Sequence, residues 1–154
     1  MLRGRRTTGR ESIWEYPRIP TVEPAARHIR VIHRNTTIAD TTRARRVCEM
    51  GHPPTYYIPP EDVRLELLQP NGATTFCEWK GIAEYFDLYV GDEVVESVAW
   101  YYTDPVRGFD AIEAFLAFYP RRVDRCLADG EEVQPEPNDF YGGWITSDIQ
   151  GPFR

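Results

Sequence analysis

The stretch "TTFCEWKG", residues 74–81, holds the residue types best suited to chemistry in this chain of 154 amino acids. Lys80 is the only lysine, whereas the chain has 17 arginines. This imbalance indicates that position 80 favours a compact ammonium over a planar guanidinium, as a contact with a phosphate or carboxylate would. Gly81 permits a positive φ or a close backbone approach, both common where a ligand meets a turn. We therefore predict that Lys80 and Gly81 contact a ligand; the alternative is a plain bend between two strands.

Cys77 lies three residues before Lys80 and is the candidate nucleophile. In a regular strand its thiol points to the side opposite Phe76. If that side is a cleft, the nearby ammonium favours the thiolate, which can act as a nucleophile or redox group. His33 or His52 could then be brought near by folding to supply a base. If that side is the core, Cys77 is inert packing, and this is the interpretation we prefer.

A second polar cluster occurs in "ADTTRA", which we place at a bend between two strands. Asp40 and the threonines commonly bond the backbone of such a bend. Arg43 is different, because a guanidinium inside a fold needs an acidic partner or a ligand anion. Asp62 or Glu49 could be that partner. We predict that Arg43 and Lys80 instead face one shared anion-binding pocket, with pairing of Arg43 to Asp62 or Glu49 as the alternative.

Three aromatic residues complete the predicted site: Tyr57, Trp100 and Tyr102. Aromatic side chains mostly belong to the core, but the O–H and N–H groups of these types also suit the lip of a polar pocket. Metal and cofactor chemistry find little support. Cys48 and His52 in "CEMGH" offer two ligands, whereas zinc needs at least three from the protein, and glycine-rich phosphate-binding signatures are absent. We expect no metal and no cofactor.

Length, cysteine number and charge limit the class of protein. A chain of 154 residues with 42% hydrophobic composition suffices for one domain, and no apolar run is long enough to cross a membrane. Three cysteines without a CxxC pair predict reduced thiols and a cytoplasmic location. Residues 1–46 hold 11 arginines against four acids, and residues 47–154 hold seven basic residues against 20 acids. Because Arg3, Arg5 and Arg6 precede an acidic body, nucleic acid is disfavoured as a partner.

Strand patterns dominate the centre of the chain. "AEYFDLYV" and "EVVESVAWYY" are rich in β-branched and aromatic residues, and the Gly91-Asp92 pair between them predicts a hairpin. A second hairpin is predicted from strands around Val31–Arg34 and Thr37–Ala39, and a further strand at Val63–Leu68.

One segment has the spacing of a helix. The apolar residues of "GFDAIEAFLAFYP" recur at helical intervals, and a proline follows them as a stop. We therefore predict one substantial helix near Asp110–Phe118 in an otherwise mainly β, antiparallel domain at residues 28–134. Residues 1–27 are interpreted as a basic, partly disordered arm, and residues 135–154 as a loosely packed tail.

Five blocks of the sequence resemble, in order and spacing, the DUF427 family, also called NTP_transf_9: "IADTTRARRVCE", "GHPPTYYIPPEDV", "TTFCEWKGIAEYF", "AWYYTDPV" and "IEAFLAFYPRRVD" followed by "DGE". This is a bacterial and fungal domain of unknown function. The resemblance implies antiparallel sheets like those of the β-tent fold, which B-type methionine sulfoxide reductases and zinc-binding regulatory domains share. It implies no established reaction.

Three functions are consistent with these observations. The first is binding of a small polar or anionic ligand in a pocket near Arg43 and Lys80. The second is a thiol-dependent enzyme that uses Cys77. The third is an interaction module, or a homodimer, whose exposed edge strands engage a partner. We prefer the first because it requires no catalytic group and therefore asks least of the sequence.

Overall fold

The computed structural model describes residues 10–138 and 140–153, in which the chain is mainly β. The strands are β1 (Glu11–Ser12), β2 (Thr21–Ala25), β3 (Ile29–His33), β4 (Thr36–Thr41), β5 (Ala44–Cys48), β6 (Thr55–Tyr57), β7 (Leu68–Cys77), β8 (Gly81–Val90), β9 (Glu93–Tyr102), β10 (Ala117–Phe118), β11 (Arg125–Ala128), β12 (Glu131–Glu132), β13 (Gln134–Pro135), β14 (Trp144–Ile145) and β15 (Ile149–Gln150). Single 3₁₀ turns lie at Ile13–Glu15, Pro60–Asp62, Leu65–Leu67, Asp110–Ile112 and Pro120–Arg122.

Three antiparallel sheets form the body of the domain. Their strand orders are β10-β9-β8-β7, β12-β11-β3-β4 and β2-β5-β6. The predicted hairpin around Gly91-Asp92 is confirmed, because Val90 pairs with Glu93 across that turn. The predicted hairpin of β3 and β4 is confirmed as well, with the turn at Arg34 and Asn35.

The predicted helix near Asp110–Phe118 is wrong. No helix of seven or more residues occurs in the described ranges, and this segment holds one 3₁₀ turn followed by β10. Ala114 has a positive φ of 64°, which an α-helix does not allow. Leu116 pairs with Ile58 instead, and its backbone N–H and C=O both bond that residue at 2.8 Å. The apolar residues at the end of this segment are therefore buried because their backbone pairs with neighbouring strands, not because they lie on one face of a helix.

The predicted strand at Val63–Leu68 is also largely replaced by a 3₁₀ turn, Leu65–Leu67, and β7 begins only at Leu68. The preceding "PPED" segment does form the single helical turn that its prolines and acids favour, at Pro60–Asp62.

Two hydrophobic clusters fill the space between the sheets. The larger contains residues of β3, β4, β8 and β9 together with Trp144. The smaller is built around the aromatic rings at the other half of β8 and β9. Tyr56 and Tyr57 on β6 are both buried and belong to different clusters, as the two-residue period of a strand requires. Strand β6 therefore lies between the two clusters.

Both ends of the described chain are attached to this body. Trp144 is fully buried in the larger cluster, and Ile149 packs with Ile13 and Cys48 in a third one. The segment expected to be a loose tail thus supplies core residues. Arg10 donates to the Ile149 carbonyl oxygen at 3.0 Å. Three further arginines of the predicted basic arm, Arg3, Arg5 and Arg6, lie outside the described residues. No helix among the described residues has the length and apolar character of a membrane span.

Candidate functional site

One face of the β7-β8-β9-β10 sheet forms the floor of a cavity of about 380 Å³. Side chains two residues apart share a face of a strand, and the strand register then places them in rows. The rows, read from the β7–β8 turn inwards, are Cys77 beside Gly81, then Thr75 beside Ala83 and Tyr102, then Tyr85 beside Trp100 and Ala117. Small side chains therefore predominate next to the turn, and bulky rings lie behind them.

The cavity is closed on its other sides by β5, β6 and the loops that precede β6 and β14. Its lining includes, beside the floor, Val47, Glu49, His52, Pro53, Thr55, Tyr57, Phe76, Glu78, Trp79, Lys80, Tyr119, Glu136, Phe140, Tyr141 and Gly142. Its volume lies within the range of natural small-molecule sites.

The inner part of the cavity, the hydroxyl end, consists of Tyr57, Tyr85, Tyr102, Tyr119 and Thr75. All four tyrosines are at most 8% exposed. The Trp100 indole N–H donates to the Tyr57 hydroxyl oxygen at 3.3 Å, and the hydroxyls of Thr75 and Tyr85 are 2.9 Å apart. Tyr102 interacts with Tyr57, and Tyr119 with Tyr85. These contacts join the hydroxyl groups into two small networks.

Burial raises the pKa of Tyr57, Tyr102 and Tyr119. The cause is desolvation, which disfavours the phenolate. These hydroxyls therefore remain protonated at all ordinary pH values and act as neutral hydrogen-bonding groups.

The second part of the cavity, the charged end, consists of Glu49, His52, Lys80 and Glu136. The His52 Nδ1 atom lies 3.4 Å from Oε2 of Glu136, which is only 2% exposed. The other carboxylate oxygen, Oε1, accepts from the Gly143 backbone N–H at 2.9 Å. The hydrogen bond to Glu136 raises the pKa of His52, Glu49 acts in the same direction, and Lys80 opposes them. The charged side chains are thus concentrated around His52.

Exposed aromatic rings border the opening. Phe76 is 74%, Phe140 58% and Tyr141 51% exposed, and the Tyr141 ring centroid lies 4.7 Å from that of His52. The backbone beside these rings runs close to the cavity wall, because a Cβ atom at Gly142 would lie 2.5 Å from the Trp100 ring. A glycine is needed there for reasons of space.

The sequence matches the NTP_transf_9 family, a domain of unknown function (DUF427), over residues 21–129. The chain belongs to this family. Among curated proteins, no relative matches the sequence. The resemblance seen in the five sequence blocks is therefore confirmed, and the description of the family assigns no activity to the DUF427 domain.

The DUF427 domain brings five of the predicted site residues together in the cavity lining: Tyr57, Cys77, Lys80, Trp100 and Tyr102. Gly81 adjoins them at the start of β8 and has a φ of 112°. The "TTFCEWKG" stretch is thus both a bend between two strands and part of a cavity wall. Whether these residues bind a ligand stays a prediction.

Asp40 and Arg43 are not among the lining residues. The Arg43 guanidinium donates to both carboxylate oxygens of Asp62, at 3.2 and 3.0 Å, which keeps the pKa of Asp62 below its ordinary value. Asp40 contacts His28 at 2.8 Å. Arg43 is therefore paired with Asp62, one of the two acids considered from the sequence. Since Lys80 lines the cavity and Arg43 does not, the structure does not support one pocket shared by these two residues.

The histidines and the other cysteines that the sequence analysis considered do not all lie at the cavity. His33 accepts a hydrogen bond from the Asp124 backbone N–H at 3.1 Å and contacts Glu93 at 3.0 Å, away from the cavity. His52 lines the cavity, whereas Cys48 is buried in the third hydrophobic cluster. Of the three histidines, all within the described ranges, His52 alone lines the cavity together with Cys77.

Sequence reasoning missed four lining residues that define the chemistry: Thr75, Tyr85, Tyr119 and Glu136. Thr75 and Tyr85 could have been found from strand phase, because they are two residues from Cys77 and Ala83. Tyr119 and Glu136 carry no such signal, since each reaches the cavity from outside the predicted strands.

Proposed function

We propose that this DUF427 domain binds a small polar ligand in the cavity between its hydroxyl end and its charged end. The observation that carries the proposal is the combination of about 380 Å³ of space with buried hydroxyl groups and a Lys80 side chain along its wall. A cavity lined only for packing would be apolar or filled. Aromatic surfaces with a few converging polar groups are typical of small-molecule sites.

The experiment blocks the cavity without changing any polar group. Ala83 is 2% exposed on the cavity floor, whereas its neighbour Ile82 is 58% exposed on the opposite face of β8. We expect Ala83→Phe to fill the cavity and to abolish binding of small polar fragments that stabilise the parent protein. Ile82→Phe is the matched control and should bind like the parent.

Thermal shift over a polar fragment set and native mass spectrometry of purified protein are the two readouts, with circular dichroism to establish that both variants fold. The proposal is refuted if no fragment binds the parent, or if Ala83→Phe and Ile82→Phe bind the same fragments equally well.

A thiol-dependent enzyme is the second candidate, and one observation favours it: Cys77 and His52 line the same cavity. Thiol reactivity tests this. Alkylation of Cys77 by iodoacetamide at neutral pH should be faster than alkylation of free cysteine if the cavity activates the thiol. A rate equal to or below that of free cysteine favours the binding function alone.

We also retain two expectations about the setting of the domain. The cysteines Cys48, Cys77 and Cys126 are free, which suits a reducing cytoplasm. A homodimer remains a proposal that gel filtration can test, with the exposed edge of β7 as the first surface to examine.

A further inference from the structure

We propose that the hydroxyl end of the cavity binds an sp² oxygen acceptor, the carbonyl or carboxylate oxygen of a flat ligand. This inference rests on the proposed binding function and names the class of ligand. It follows from counting the hydrogen-bond donors that converge on that end of the cavity and comparing them with the acceptors that the surrounding residues offer.

The first network contains Trp100, Tyr57 and Tyr102. It has three donors: one indole N–H and two phenol O–H groups. The Trp100 N–H donates to Tyr57. Even if one of the two hydroxyls donates to the other, one O–H proton remains without an acceptor among the described residues. Cys77 and Tyr85 also act on these two hydroxyls, and the sulfur of Cys77 is only a weak acceptor.

The second network contains Thr75, Tyr85 and Tyr119 and gives the same result. It has three O–H donors. One of them is used between Thr75 and Tyr85, at 2.9 Å, and at most one more between Tyr85 and Tyr119. At least one proton therefore remains here as well, within the part of the chain that the structure describes.

Two spare donors at one end of a cavity define the complementary ligand group. A carbonyl or carboxylate oxygen has two lone pairs and can accept from both. An ammonium group would satisfy hydroxyl lone pairs but would leave both protons without acceptors, and a buried donor without an acceptor is unfavourable. Because burial raises the pKa of Tyr57, Tyr102 and Tyr119, these three hydroxyls stay protonated at ordinary pH.

The distribution of charge agrees with this orientation. The carboxylates that act on His52 are those of Glu136 and Glu49, at the charged end, whereas the groups that act most on Tyr57 and Tyr102 are neutral neighbours. An acceptor at the hydroxyl end therefore avoids the acids. The aromatic walls and rim around it suit a flat ring as the body of the ligand.

The test uses three probes that share one benzene ring: acetophenone with a neutral carbonyl, benzoate with a carboxylate, and benzylamine with an ammonium group. Dissociation constants are measured by NMR titration of the full-length protein. We expect acetophenone or benzoate to bind at least about fivefold more tightly than benzylamine, which corresponds to roughly one net hydrogen bond. The stronger of the two shows whether the natural acceptor is a neutral carbonyl or a carboxylate.

Two neighbouring tyrosines provide the matched variants. Tyr102→Phe removes one O–H from the hydroxyl end, whereas Tyr101→Phe removes one from the opposite face of β9, where the ring stacks on Phe86. Tyr102→Phe should weaken the preferred probe about three- to tenfold, and Tyr101→Phe should leave it unchanged. If Tyr102→Phe does not fold, Tyr119→Phe replaces it.

Three results would overturn the inference: benzylamine binding as tightly as both other probes, equal affinities for the Tyr102→Phe and Tyr101→Phe variants, or no binding of any probe. The last result would mean that water suffices as the acceptor. None of them refutes the proposed function, which fails only if the fragment set does not distinguish Ala83→Phe from Ile82→Phe.

Discussion

Replacement of Arg46 by methionine should strongly destabilise the domain. The Arg46 side chain is 10% exposed and contacts the two carboxylate oxygens of Glu11 at 2.9 Å each. Its Nε atom donates to Glu23 at 2.6 Å. Tyr16 donates to Glu11 as well, at 2.6 Å. This buried cluster joins β1, β2 and β5, so the charge of Arg46 compensates the buried acids on the two other strands.

The expected loss of stability follows from the burial of these charged side chains. An exposed ion pair contributes about 0 to 1 kcal/mol, whereas removal of one partner from a buried pair costs about 3 to 5 kcal/mol because the remaining charge stays desolvated. The side chains of Glu11 and Glu23 are 5% and 15% exposed, so the buried case applies. Methionine preserves most of the apolar stem of Arg46 and removes the charge. We expect a loss of about 3 to 5 kcal/mol, equivalent to a melting temperature lower by roughly 10 °C.

The assay is urea unfolding at neutral pH, with Arg45→Met as the control. Arg45 is the next residue on β5; its guanidinium lies 5.0 Å from the Phe115 ring centroid and donates to the Ala111 carbonyl oxygen. Its replacement should cost about 1 kcal/mol or less. Equal losses for Arg46→Met and Arg45→Met would refute the argument from burial.

Three further predictions concern the cavity and the thiols. A hydrogen bond raises the pKa of His52, so its stabilisation is present below a pH of about 6.5 and disappears as the pH rises through the higher folded-state pKa. His52→Gln should therefore lower the free energy of unfolding more at about pH 5.5 than at about pH 9, by roughly 0.5 kcal/mol, and equal losses would contradict this. Burial raises the pKa of Cys48 to about 12 and also raises that of Cys126, so iodoacetamide should label Cys77 first in the folded protein, as mass spectrometry would show. Gly143→Ala places a Cβ atom 2.8 Å from a backbone carbonyl oxygen and should cost about 1 to 3 kcal/mol in thermal unfolding; an unchanged melting temperature would show that the loop shifts freely.

The long strands of the sheet could be predicted from sequence because local and global preferences agree there. Residues 81–90 and 93–102 combine β-branched and aromatic side chains with a turn-forming Gly91-Asp92 pair. The helix predicted at 110–118 does not form, because local and global preferences disagree in this segment. Its apolar spacing fitted a helix, but so short a segment has little helical stability of its own. Pairing of β10 with β9 and of Leu116 with Ile58 satisfied the same backbone groups.

The site was only partly predictable for a similar reason. Lys80 was recognised by its rarity and Cys77 by its chemistry, and both lie at a strand end that sequence could locate. Arg43 has equally suggestive chemistry, but the choice between Asp62 and a ligand depends on distance across the fold. Glu136 reaches the cavity from a segment without strand or helix periodicity. Its place in the cavity wall depends on the tertiary fold and has no sequence signal.

The hydroxyl groups of the cavity argue that its composition reflects more than packing. Phenylalanine fills nearly the same volume as tyrosine without a polar group to satisfy, so a wall selected for stability alone would not need Tyr85, Tyr102 and Tyr119. On our proposal, a carbonyl or carboxylate oxygen of the ligand accepts from these hydroxyls, and each such hydrogen bond adds about 1 kcal/mol to affinity. The hydroxyl groups would then give the cavity its preference among ligands.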